Sequence, residues 1–459
     1  MDVKGNRWLV VGMARSGVAA ARLLEKNGAL VVINDAKKQE AFEGALDGLR
    51  MLPGIEWCLG QPADSLWQGC AGVVISPGVP IGSPWIAKVR GAGVPVIGEL
   101  ELGYRMSRGI VVAVTGTNGK TTTTSMTGEM MRNAGRQTYV AGNIGIPLCS
   151  VAEYTRPGDV LVCEVSSFQL ESVTSFHARV AAVLNITPDH LDRHGSLARY
   201  IELKRDIMLN QTPGDTVVLN WDDAPTRTLA DSAGGAVLFF SRKETLAEGV
   251  SIAEDKIVYR WGGVERVLCD VEDLRLPEPH NVENALAAAA IGVALEVPPP
   301  VIRHTLRTFQ GVEHRLENVA AIEDVRYIND SKGTNVDSTI KAIEAMRAPT
   351  VLLLGGSRKD VDYTLLAATV VSSPCIRHVV TLGDTRIEIG DALRSQGYVW
   401  VTQCDEGFEQ AVRLAKAQAE AGGNVLLSPA CASFDMFKDY EERGRVFKDI
   451  VKKLAEEAT

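Results

Sequence analysis

The segment VAVTGTNGKTTTT, residues 112–124, has the residue types of a phosphate-binding loop. Backbone N–H groups from Gly116 to Lys120 can point into such a turn, and the helix that follows adds the positive end of its dipole. The ammonium of Lys120 and the hydroxyl of Thr121 suit a phosphate and Mg²⁺. Val114 stands where the common P-loop has its first glycine, so this loop is a variant. A plain Gly-Asn turn is the alternative, but it does not explain a Gly-Lys-Thr triplet that opens a helix.

Two later segments, DVLVCEVSSFQLE and RVAAVLNITPDHLDRH, are strands that end in acidic and imidazole side chains. Ligands gather at the carboxyl ends of parallel strands, so Glu164 is predicted to hold a hard, partly hydrated Mg²⁺ beside the loop. His190 follows the next strand, with Asp189 and Asp192 beside it. Asp192 and His194 also have ligand spacing, but Asp and His in such loops are more often capping or surface groups. We therefore favour His190 over His194.

The elements that must position these groups alternate between strand and helix, which predicts an α/β fold with helix-covered parallel sheets. Residues 110–114 read as a strand and 121–135 as a helix. The Ala-rich segment 285–295 is shorter than the roughly 18 residues of a membrane span and is predicted to be a core helix. Residues 297–300 read as a loop between helices. Membrane insertion is not expected.

Length and turn signals predict three domains. A chain of 459 residues has room for two to four domains at about 100 to 200 residues each. Breaks near Gly98 and Gly311 divide it into residues 1–98, 99–311 and 312–459. The first and third domains are expected to be Rossmann-like, and the central one a P-loop ATPase-like parallel sheet.

Charge and cysteine content exclude several classes of function. The formal net charge of −9, without a basic run, argues against a nucleic-acid partner. The eight cysteines form no C-x-x-C pair, and the first residues run into a strand without a signal-peptide pattern. We expect a cytoplasmic protein, and a monomer.

The front of the chain, WLVVGMARSGVAAARLLEKNGALVVINDA, has the outline of a dinucleotide-binding unit. Gly12 and Gly17 are in place, but the middle glycine is Ala14, which weakens an NAD interpretation. Another nucleotide could bind the same crevice, with Arg15 near phosphates and Asp35 near a ribose or base. A helix-sheet packing turn without a ligand is an equal alternative from these residues alone. Pro77 and its neighbours in VVISPGVP could line the crevice.

Seven motifs together resemble those of the Mur ligase family: GTNGKTTTT, EVSSFQLE, NITPDHLDRH, HNVENALAA, HRLE, NDSKGTN and SPACASFDMFKDYEERG. With GMARSG and ISPGV at the front, they are most similar to members that join D-glutamate to UDP-N-acetylmuramoyl-L-alanine. The resemblance implies ATP-dependent amide synthesis for peptidoglycan precursors, through an acyl phosphate that an amine attacks. A sibling ligase, a folylpolyglutamate-type synthetase and a non-catalytic nucleotide-binding module are the alternatives. SPACASFDMF and the front crevice discriminate against the first two, and the last needs no metal or amino-acid site.

The resemblance implies an ATP site formed by the loop and by later polar residues: Gly116, Thr117, Asn118, Gly119, Lys120, Thr121, Thr122, Asn281, Asn284, Arg315 and Asp330. The two asparagines would lie near the adenine, although helix capping by Asn281 is an alternative. Arg315 would reach the phosphates when the domains close, and a linker salt bridge is its alternative. Asp330 would contact the ribose.

The catalytic and metal-binding residues are also implied by the resemblance. The catalytic set is Lys120, Glu164, His190 and Lys204, and the metal set is Thr121, Glu164, His190 and Lys204. Two Mg²⁺ ions are expected, with Lys204 carbamylated so that it offers an anionic oxygen ligand. From the residues alone, Lys204 in YIELKRD would be assigned to a solvated helix face.

Substrate residues are implied on the first, central and third domains. The UDP-substrate set is Arg15, Ser16, Asp35, Lys37, Ser76, Gly78, Asn143 and His190. The D-glutamate set is Lys332, Thr334, Lys359, Ser433, Phe434 and Tyr440, whose cations and hydroxyls suit a dicarboxylate. Surface charges are the alternatives for Lys37 and Lys359, and a tight turn for Gly355 and Gly356.

Overall fold

The computed structural model describes residues 1–42, 46–358 and 361–458, except for the side chains of Asp192 and Asp337. The chain divides into two compact units, Met1–Gln310 and Gly311–Thr459. The first unit contains two sheets and the second contains one. All three are mainly parallel and carry helices between their strands, so the predicted α/β class is confirmed.

The front of the first unit is built from β1 (Arg7–Val11), α1 (Arg15–Lys26), β2 (Leu30–Asp35), α2 (Asp47–Arg50), β3 (Ile55–Leu59), β4 (Gly72–Ile75), α3 (Pro84–Gly91), β5 (Val96–Gly98) and α4 (Glu99–Met106). Its strands form a parallel sheet in the order β3-β2-β1-β4-β5. The central strands β1 and β4 are apolar and buried almost throughout, as expected where helices cover both faces.

The turn between β1 and α1 depends on two glycines. Gly12 has φ +90°, a conformation that favours glycine. A Cβ at Gly17 would lie 1.8 Å from the Gly12 carbonyl oxygen, so only glycine lets helix α1 pack this closely on the turn. The two glycines that sequence analysis singled out therefore serve helix-sheet packing.

The second sheet is built from β6 (Ile110–Thr115), α5 (Lys120–Asn133), β7 (Thr138–Gly142), β8 (Val160–Glu164), α6 (Ser167–Leu170), β9 (Val180–Val183), α7 (Leu191–His194), α8 (Leu197–Arg205), β10 (Thr216–Asn220), α9 (Ala224–Arg227), β11 (Ala236–Ser241), β12 (Gly249–Ala253), β13 (Lys256–Trp261), β14 (Val264–Asp270), α10 (Pro279–Ala294) and α11 (Pro299–Thr308). The strand order is β14-β13-β12-β11-β10-β9-β6-β8-β7. Strands β12 to β14 are antiparallel, and the rest pair in parallel.

Helix α10 contains the Ala-rich segment. Its residues from Ala285 to Gly292 are all buried, and it packs against α5, so the predicted core helix is confirmed. In the part of the chain that the structure describes, no helix is long and apolar enough to cross a membrane. The loop predicted at 297–300 is shorter than expected. Pro299 and Pro300 open α11, because proline at the first helical positions loses no intrahelical hydrogen bond.

The second unit is built from β15 (Glu317–Ile322), β16 (Val325–Asn329), α12 (Val336–Ala345), β17 (Thr350–Gly355), α13 (Thr364–Ser372), β18 (Ile376–Leu382), α14 (Arg386–Ser395), β19 (Val401–Gln403), α15 (Phe408–Gln418), β20 (Asn424–Leu427) and α16 (Tyr440–Glu457). Its sheet has the order β15-β16-β20-β17-β18-β19, parallel except for the β15-β16 hairpin. The carboxyl ends of β16, β17 and β20 therefore lie at one edge.

A buried carboxyl group lies between the first two sheets. Glu99 begins α4, is 1% exposed, and accepts a hydrogen bond from the Cys149 N–H at 2.7 Å. Burial raises the pKa of Glu99 to about 7, because the charged form loses its hydration. The group is therefore largely protonated below neutral pH.

Glu99 is expected to make stability depend on pH. Its pKa is raised in the folded state from an ordinary value of 4.5, so its contribution is complete below pH 4.5 and is lost as pH rises through about 7. The loss is on the order of 3 kcal/mol. Urea unfolding of wild type and Glu99→Gln from pH 5 to 8 measures it. The variant should have a flatter pH profile and gain relative stability above pH 7, and parallel profiles would contradict the prediction.

Candidate active site

The phosphate-binding loop connects β6 to α5 and is held by the end of β9. Thr117 N–H donates to the Asn185 carbonyl at 2.9 Å, and Asn118 N–H donates to the Asn185 side-chain oxygen at 2.8 Å. The expectation that every N–H from Gly116 to Lys120 points at a phosphate is therefore wrong for these two. Sequence analysis missed Asn185. Its signal was a polar residue two positions after the buried strand β9.

Two lysines converge on one carbonyl oxygen of the loop. Lys120 Nζ donates to the oxygens of Gly116 at 2.7 Å and Thr117 at 2.8 Å. Lys204 Nζ, from α8, donates to the same Gly116 oxygen at 2.8 Å and lies 4.5 Å from the Tyr200 ring centroid. Lys204 and Gly116 are 88 residues apart in the chain and are brought together by the fold.

Lys204 is buried rather than solvated. It is 1% exposed, so the solvated-face interpretation is wrong. The family-based prediction that a carbamylated Lys204 binds a metal with His190 stays a prediction. Burial, followed by the charge of Lys120, holds the pKa of Lys204 well below its ordinary value. A lysine in this position loses its proton more readily than an exposed lysine.

Position 119 needs glycine for two reasons, its left-handed backbone conformation and the closeness of the Asn284 side chain. It precedes α5 with φ +81°, and a Cβ there would lie 2.2 Å from the Asn284 Oδ1 atom. Asn284, on α10, is itself buried, and its Oδ1 is 3.3 Å from the Thr123 hydroxyl. Asn281 lies one turn earlier, inside α10, whose N-cap residue is Glu278. The capping alternative for Asn281 is therefore wrong.

Gly119→Ala is expected to cost about 1–3 kcal/mol of stability and to weaken ATP binding at least tenfold, because strain and the Asn284 contact both distort the loop. Calorimetric ATP titration and urea unfolding measure the two effects. Gly135→Ala is the matched control, since Gly135 has φ +75° just after α5 but no atom within 4 Å of its would-be Cβ. Equal ATP affinity in the two variants would refute the role of the Asn284 contact.

Glu164 ends β8 beside the phosphate loop. It pairs with Val114 of β6, so its side chain and the loop leave the same edge of the sheet. The carboxylate is buried, and one oxygen accepts from the Asn143 side-chain amide at 2.7 Å. Among the described residues, the other oxygen has no hydrogen-bond partner. A buried carboxylate oxygen left without a donor is suited to a cation.

The two histidines after β9 have different environments. His190 is about half-exposed, with its ring 4.8 Å from the Phe168 ring and Nε2 3.6 Å from Asp189. His194 is buried, with one ring nitrogen 3.0 Å from the Ser167 hydroxyl and the other 3.2 Å from Glu171. Burial lowers the pKa of His194. The choice of His190 as the ligand stays a prediction, while His194 has a structural hydrogen-bonding role.

Over the described ranges, no three His, Cys, Asp or Glu side chains form a metal-binding group. This is compatible with Mg²⁺, which usually takes one or two protein carboxylates and completes its shell with phosphates and water. Thr121, 5% exposed at the start of α5, and Glu164 are two oxygen donors at this sheet edge. Thr122 is equally buried beside Thr121.

Hydrogen bonds of two side chains hold the turns of the front crevice in place. Asp35 accepts from the Met13 and Lys37 N–H groups at 2.8 and 2.9 Å. The Ser76 hydroxyl donates to the Gly12 oxygen at 2.8 Å. Asp35 and Ser76 therefore shape the crevice through backbone contacts.

The other residues of the UDP-substrate set lie nearer the surface. Arg15 and Lys37 are exposed, and Ser16 is half-buried. A Cβ at Gly78 would meet no atom within 4 Å, so the space beside it is open. Arg15 donates to the Gly145 oxygen at 2.9 Å, which joins the GMARSG and GNIG motifs. Asn143, in the same GNIG segment, is held by Glu164.

In the second unit, Asp330 follows β16 and is buried. Its carboxylate accepts from the Ser428 hydroxyl at 2.6 Å and from the Leu316 N–H at 3.3 Å. Burial raises the pKa of Asp330 to about 6, against the Ser428 hydrogen bond and the charge of half-buried Arg315. The ribose role predicted for Asp330 remains a prediction.

The predicted D-glutamate residues lie on three segments of the second unit. Lys332 and Thr334 follow β16, Ser433 is buried after β20, and Phe434 is 73% exposed. Tyr440 is the first residue of α16. Lys359 lies outside the described residues.

Gly355 and Gly356 end β17 in a close backbone contact. Cβ atoms there would lie 2.0 Å from the Leu382 oxygen and 2.2 Å from the Ala432 oxygen. A simple tight turn does not explain this packing, which brings the end of β17 against the segment that carries Ser433.

Sequence analysis missed Arg443, which holds two of these segments together. It is 1% exposed and donates to Ser331 Oγ and O at 2.9 and 2.8 Å, and to the Cys431 oxygen at 3.1 Å. Ser331 precedes Lys332, and Cys431 lies two residues before Ser433. The signal was a charged residue on the apolar face of α16, one turn before Phe447.

Known proteins are similar to this chain over nearly its whole length. Three family models match, described as Mur ligase MurD-like N-terminal domain at residues 6–98, Mur ligase middle domain at 114–292, and Mur ligase, glutamate ligase domain at 314–431. The UDP-N-acetylmuramoylalanine–D-glutamate ligase of Pelotomaculum thermopropionicum is 47% identical over 99% of both chains. The protein of the same name from Clostridioides difficile is 41% identical over 99% of this chain and all of the other.

Solved structures share the fold. The UDP-N-acetylmuramate–alanine ligase MurC of Thermotoga maritima aligns with a TM-score of 0.60 and 22% identity, over 98% of this chain and 100% of the other. A pseudomurein peptide ligase of Methanothermus fervidus aligns with a TM-score of 0.56 and 20% identity over the same shares. With three family models in sequence and relatives above 40% identity over its whole length, the chain belongs to the Mur ligase family.

Proposed function

We propose that this protein joins D-glutamate to UDP-N-acetylmuramoyl-L-alanine in an ATP-dependent reaction of peptidoglycan precursor synthesis. The observation that carries the proposal is the convergence of Lys120 and buried Lys204 on the Gly116 oxygen, at the sheet edge where Glu164 ends β8. A binding module would need the phosphate loop but not a second, buried lysine against it. Relatives with that activity in their names, at 41–47% identity over 99% of the chain, support the choice of substrates.

The reaction must make a carboxylate into an acyl donor. A carboxylate is a poor acyl donor, and transfer of the terminal phosphoryl of ATP to it supplies a leaving group for the attacking amine. Two anions must approach each other in this step, so the site has to stabilise the charge that builds on the transferring phosphoryl. Lys120 and the positive end of α5 would do so.

ATP is proposed to bind Gly116, Thr117, Asn118, Gly119, Lys120, Thr121, Thr122, Asn281, Asn284, Arg315 and Asp330. For Thr117 and Asn118, whose N–H groups bond Asn185, contact would be through side chains or after rearrangement. Arg315 and Asp330 are contributed by the second unit and rest on the family resemblance.

Two Mg²⁺ ions are proposed as cofactors, held by Thr121, Glu164, His190 and Lys204. The Glu164 oxygen that has no partner among the described residues supports this assignment. When bound, Mg²⁺ neutralises phosphate charge and orients the phosphoryl group. Asn143 would orient the Glu164 carboxylate, since it holds the other oxygen.

Lys204 is proposed to be carbamylated. Carbamate formation needs an uncharged amine to attack CO₂ and releases one proton, and the lowered pKa of Lys204 favours that uncharged form. The product is an anion beside Lys120, where the two amines now share one carbonyl acceptor. A carbamate anion would then face the Lys120 ammonium, and the carbamate oxygens would be available to a cation.

The substrates are proposed to bind on separate domains, with boundaries at residues 1–98, 99–311 and 312–459. The UDP-linked substrate would bind Arg15, Ser16, Asp35, Lys37, Ser76, Gly78, Asn143 and His190. D-Glutamate would bind Lys332, Thr334, Lys359, Ser433, Phe434 and Tyr440. We further propose a monomeric, cytoplasmic enzyme.

The test is to incubate the purified protein with ATP, Mg²⁺ and UDP-N-acetylmuramoyl-L-alanine, and to add D-glutamate, L-glutamate, L-alanine or L-lysine in parallel. Phosphate release and product mass are followed. A new amide with D-glutamate alone is expected. Product with another amino acid would move the protein to a sibling ligase, and ATP binding without product would favour a non-catalytic role.

A further inference from the structure

Helix α7, whose N-cap residue is His190, is anchored by one carboxylate, that of Glu171. Glu171, whose side chain is 8% exposed, accepts from Arg193 Nη2 at 2.7 Å and Nε at 3.3 Å, and lies 3.2 Å from His194 Nδ1. A guanidinium that bonds a carboxylate through two nitrogens fixes geometry more firmly than a single contact. The last two residues of α7 are therefore anchored to the segment that follows α6.

The same arginine reaches the front crevice. Arg193 Nη2 donates to the Val79 oxygen at 3.1 Å, and Val79 N–H donates to the Ser76 oxygen at 2.9 Å. The Arg193 guanidinium also lies 5.3 Å from the Phe168 ring, which is 4.8 Å from the ring of His190. One side chain thus contacts the loop of residues 76–79 and the aromatic neighbour of His190.

His190 has a backbone conformation that needs such support. Its φ is +52°, in the left-handed region that non-glycine residues rarely adopt. Its carbonyl accepts from the N–H groups of Arg193 at 3.1 Å and His194 at 3.0 Å. A strained conformation persists only where surrounding contacts hold it in place. The two residues whose N–H groups bond the His190 carbonyl, Arg193 and His194, are themselves held by the Glu171 carboxylate.

We infer that Arg193 is a positioning residue that couples the UDP-substrate loop at residues 76–79 to the placement of His190. It acts through the Val79 oxygen on one side and through Glu171 and Phe168 on the other. Substrate on the loop would then stabilise the His190 arrangement, and by linkage an ordered His190 would favour substrate binding. The inference rests on the proposed function, which supplies the substrate.

The test compares Arg193→Ala and Arg193→Lys with Arg199→Ala, whose exposed arginine pairs only with Glu202 on α8 among the described ion pairs. Calorimetry with UDP-N-acetylmuramoyl-L-alanine, steady-state kinetics for each substrate, and thermal unfolding are measured. For Arg193→Ala we expect kcat/KM for the UDP-linked substrate and its affinity to fall about tenfold or more, with KM for ATP within about twofold. Arg193→Lys should recover part of the loss, because lysine keeps the charge but not the paired geometry.

Glu171→Gln weakens the Arg193–Glu171 contact from its other partner. It tests the coupling if Arg193→Ala fails to fold. The effects of Arg193→Lys and Glu171→Gln should be less than additive in the double variant. The inference is overturned if Arg193→Ala matches Arg199→Ala, or if all kinetic constants fall only in proportion to folded protein. If wild type forms no amide yet calorimetry still separates the two arginine variants, the proposed function fails and the coupling stands.

Discussion

Lys204→Met should lower turnover by about 10³-fold while leaving the protein at least as stable as wild type. The loss of activity follows from the loss of the amine that is proposed to form a carbamate. Lys204→Arg should be equally inactive, because a guanidinium stays charged and cannot add CO₂. In wild type, a carbamate carbon should appear by ¹³C NMR after equilibration with ¹³C-bicarbonate and be absent from both variants.

The stability result for Lys204→Met follows from linkage. The folded pKa of Lys204 is lowered, so the unfolded state binds the proton more tightly and wild-type stability rises with pH below the ordinary value of 10.5. Methionine removes this cost of burial. Melting temperatures at pH 6 to 9 in CO₂-free buffer measure it, with exposed Lys256→Met as the control. A variant that loses both activity and several degrees of melting temperature would point to a purely structural lysine.

Glu164→Gln is expected to lower turnover by about 10²–10³-fold, because an amide is a far weaker ligand for a hard cation than a carboxylate. Folding should be preserved, since glutamine keeps the oxygen that accepts from Asn143 and has the same shape. Phosphate release at saturating substrates measures the kinetic effect.

Metal dependence separates the role of Glu164 from a packing role. In wild type, ATP with Mg²⁺ should raise the melting temperature more than ATP with a chelator, because ligands that bind the folded state stabilise it. Glu164→Gln should lose most of this difference. Glu202→Gln, an exposed glutamate on α8, should retain it. Unchanged Mg²⁺ dependence in Glu164→Gln would assign the metal to other residues.

The phosphate loop was predictable because its geometry is local. Gly119, Lys120 and Thr121 are contiguous, and a glycine before a helix start sets the positions of the residues that follow. The α/β class was predictable for a similar reason, since alternation of strand and helix patterns is read within short windows. The antiparallel strands β13 and β14, which extend the central sheet, were not foreseen because pairing direction depends on how strands meet.

The environment of the remaining groups depends on residues that are distant in the chain. Lys204 reads as a surface lysine in its own helix, yet it meets Gly116 across 88 residues and is buried there. Arg443 reaches Ser331 across 112 residues. Without tertiary structure, neither the burial that lowers the pKa of Lys204 nor the support that Arg443 provides could be known.

The order of residues thus specified the phosphate loop, the α/β class, the strand end that carries Glu164 and the segment after β9 that carries His190. Folding decided which of those groups share an acceptor, which are desolvated and which are occupied by structural contacts. Asn185, His194 and Glu171 are polar residues near the site whose structural contacts only the fold reveals. Periodicity and local turn chemistry act over a few residues, whereas burial and hydrogen-bond partners are properties of the packed chain.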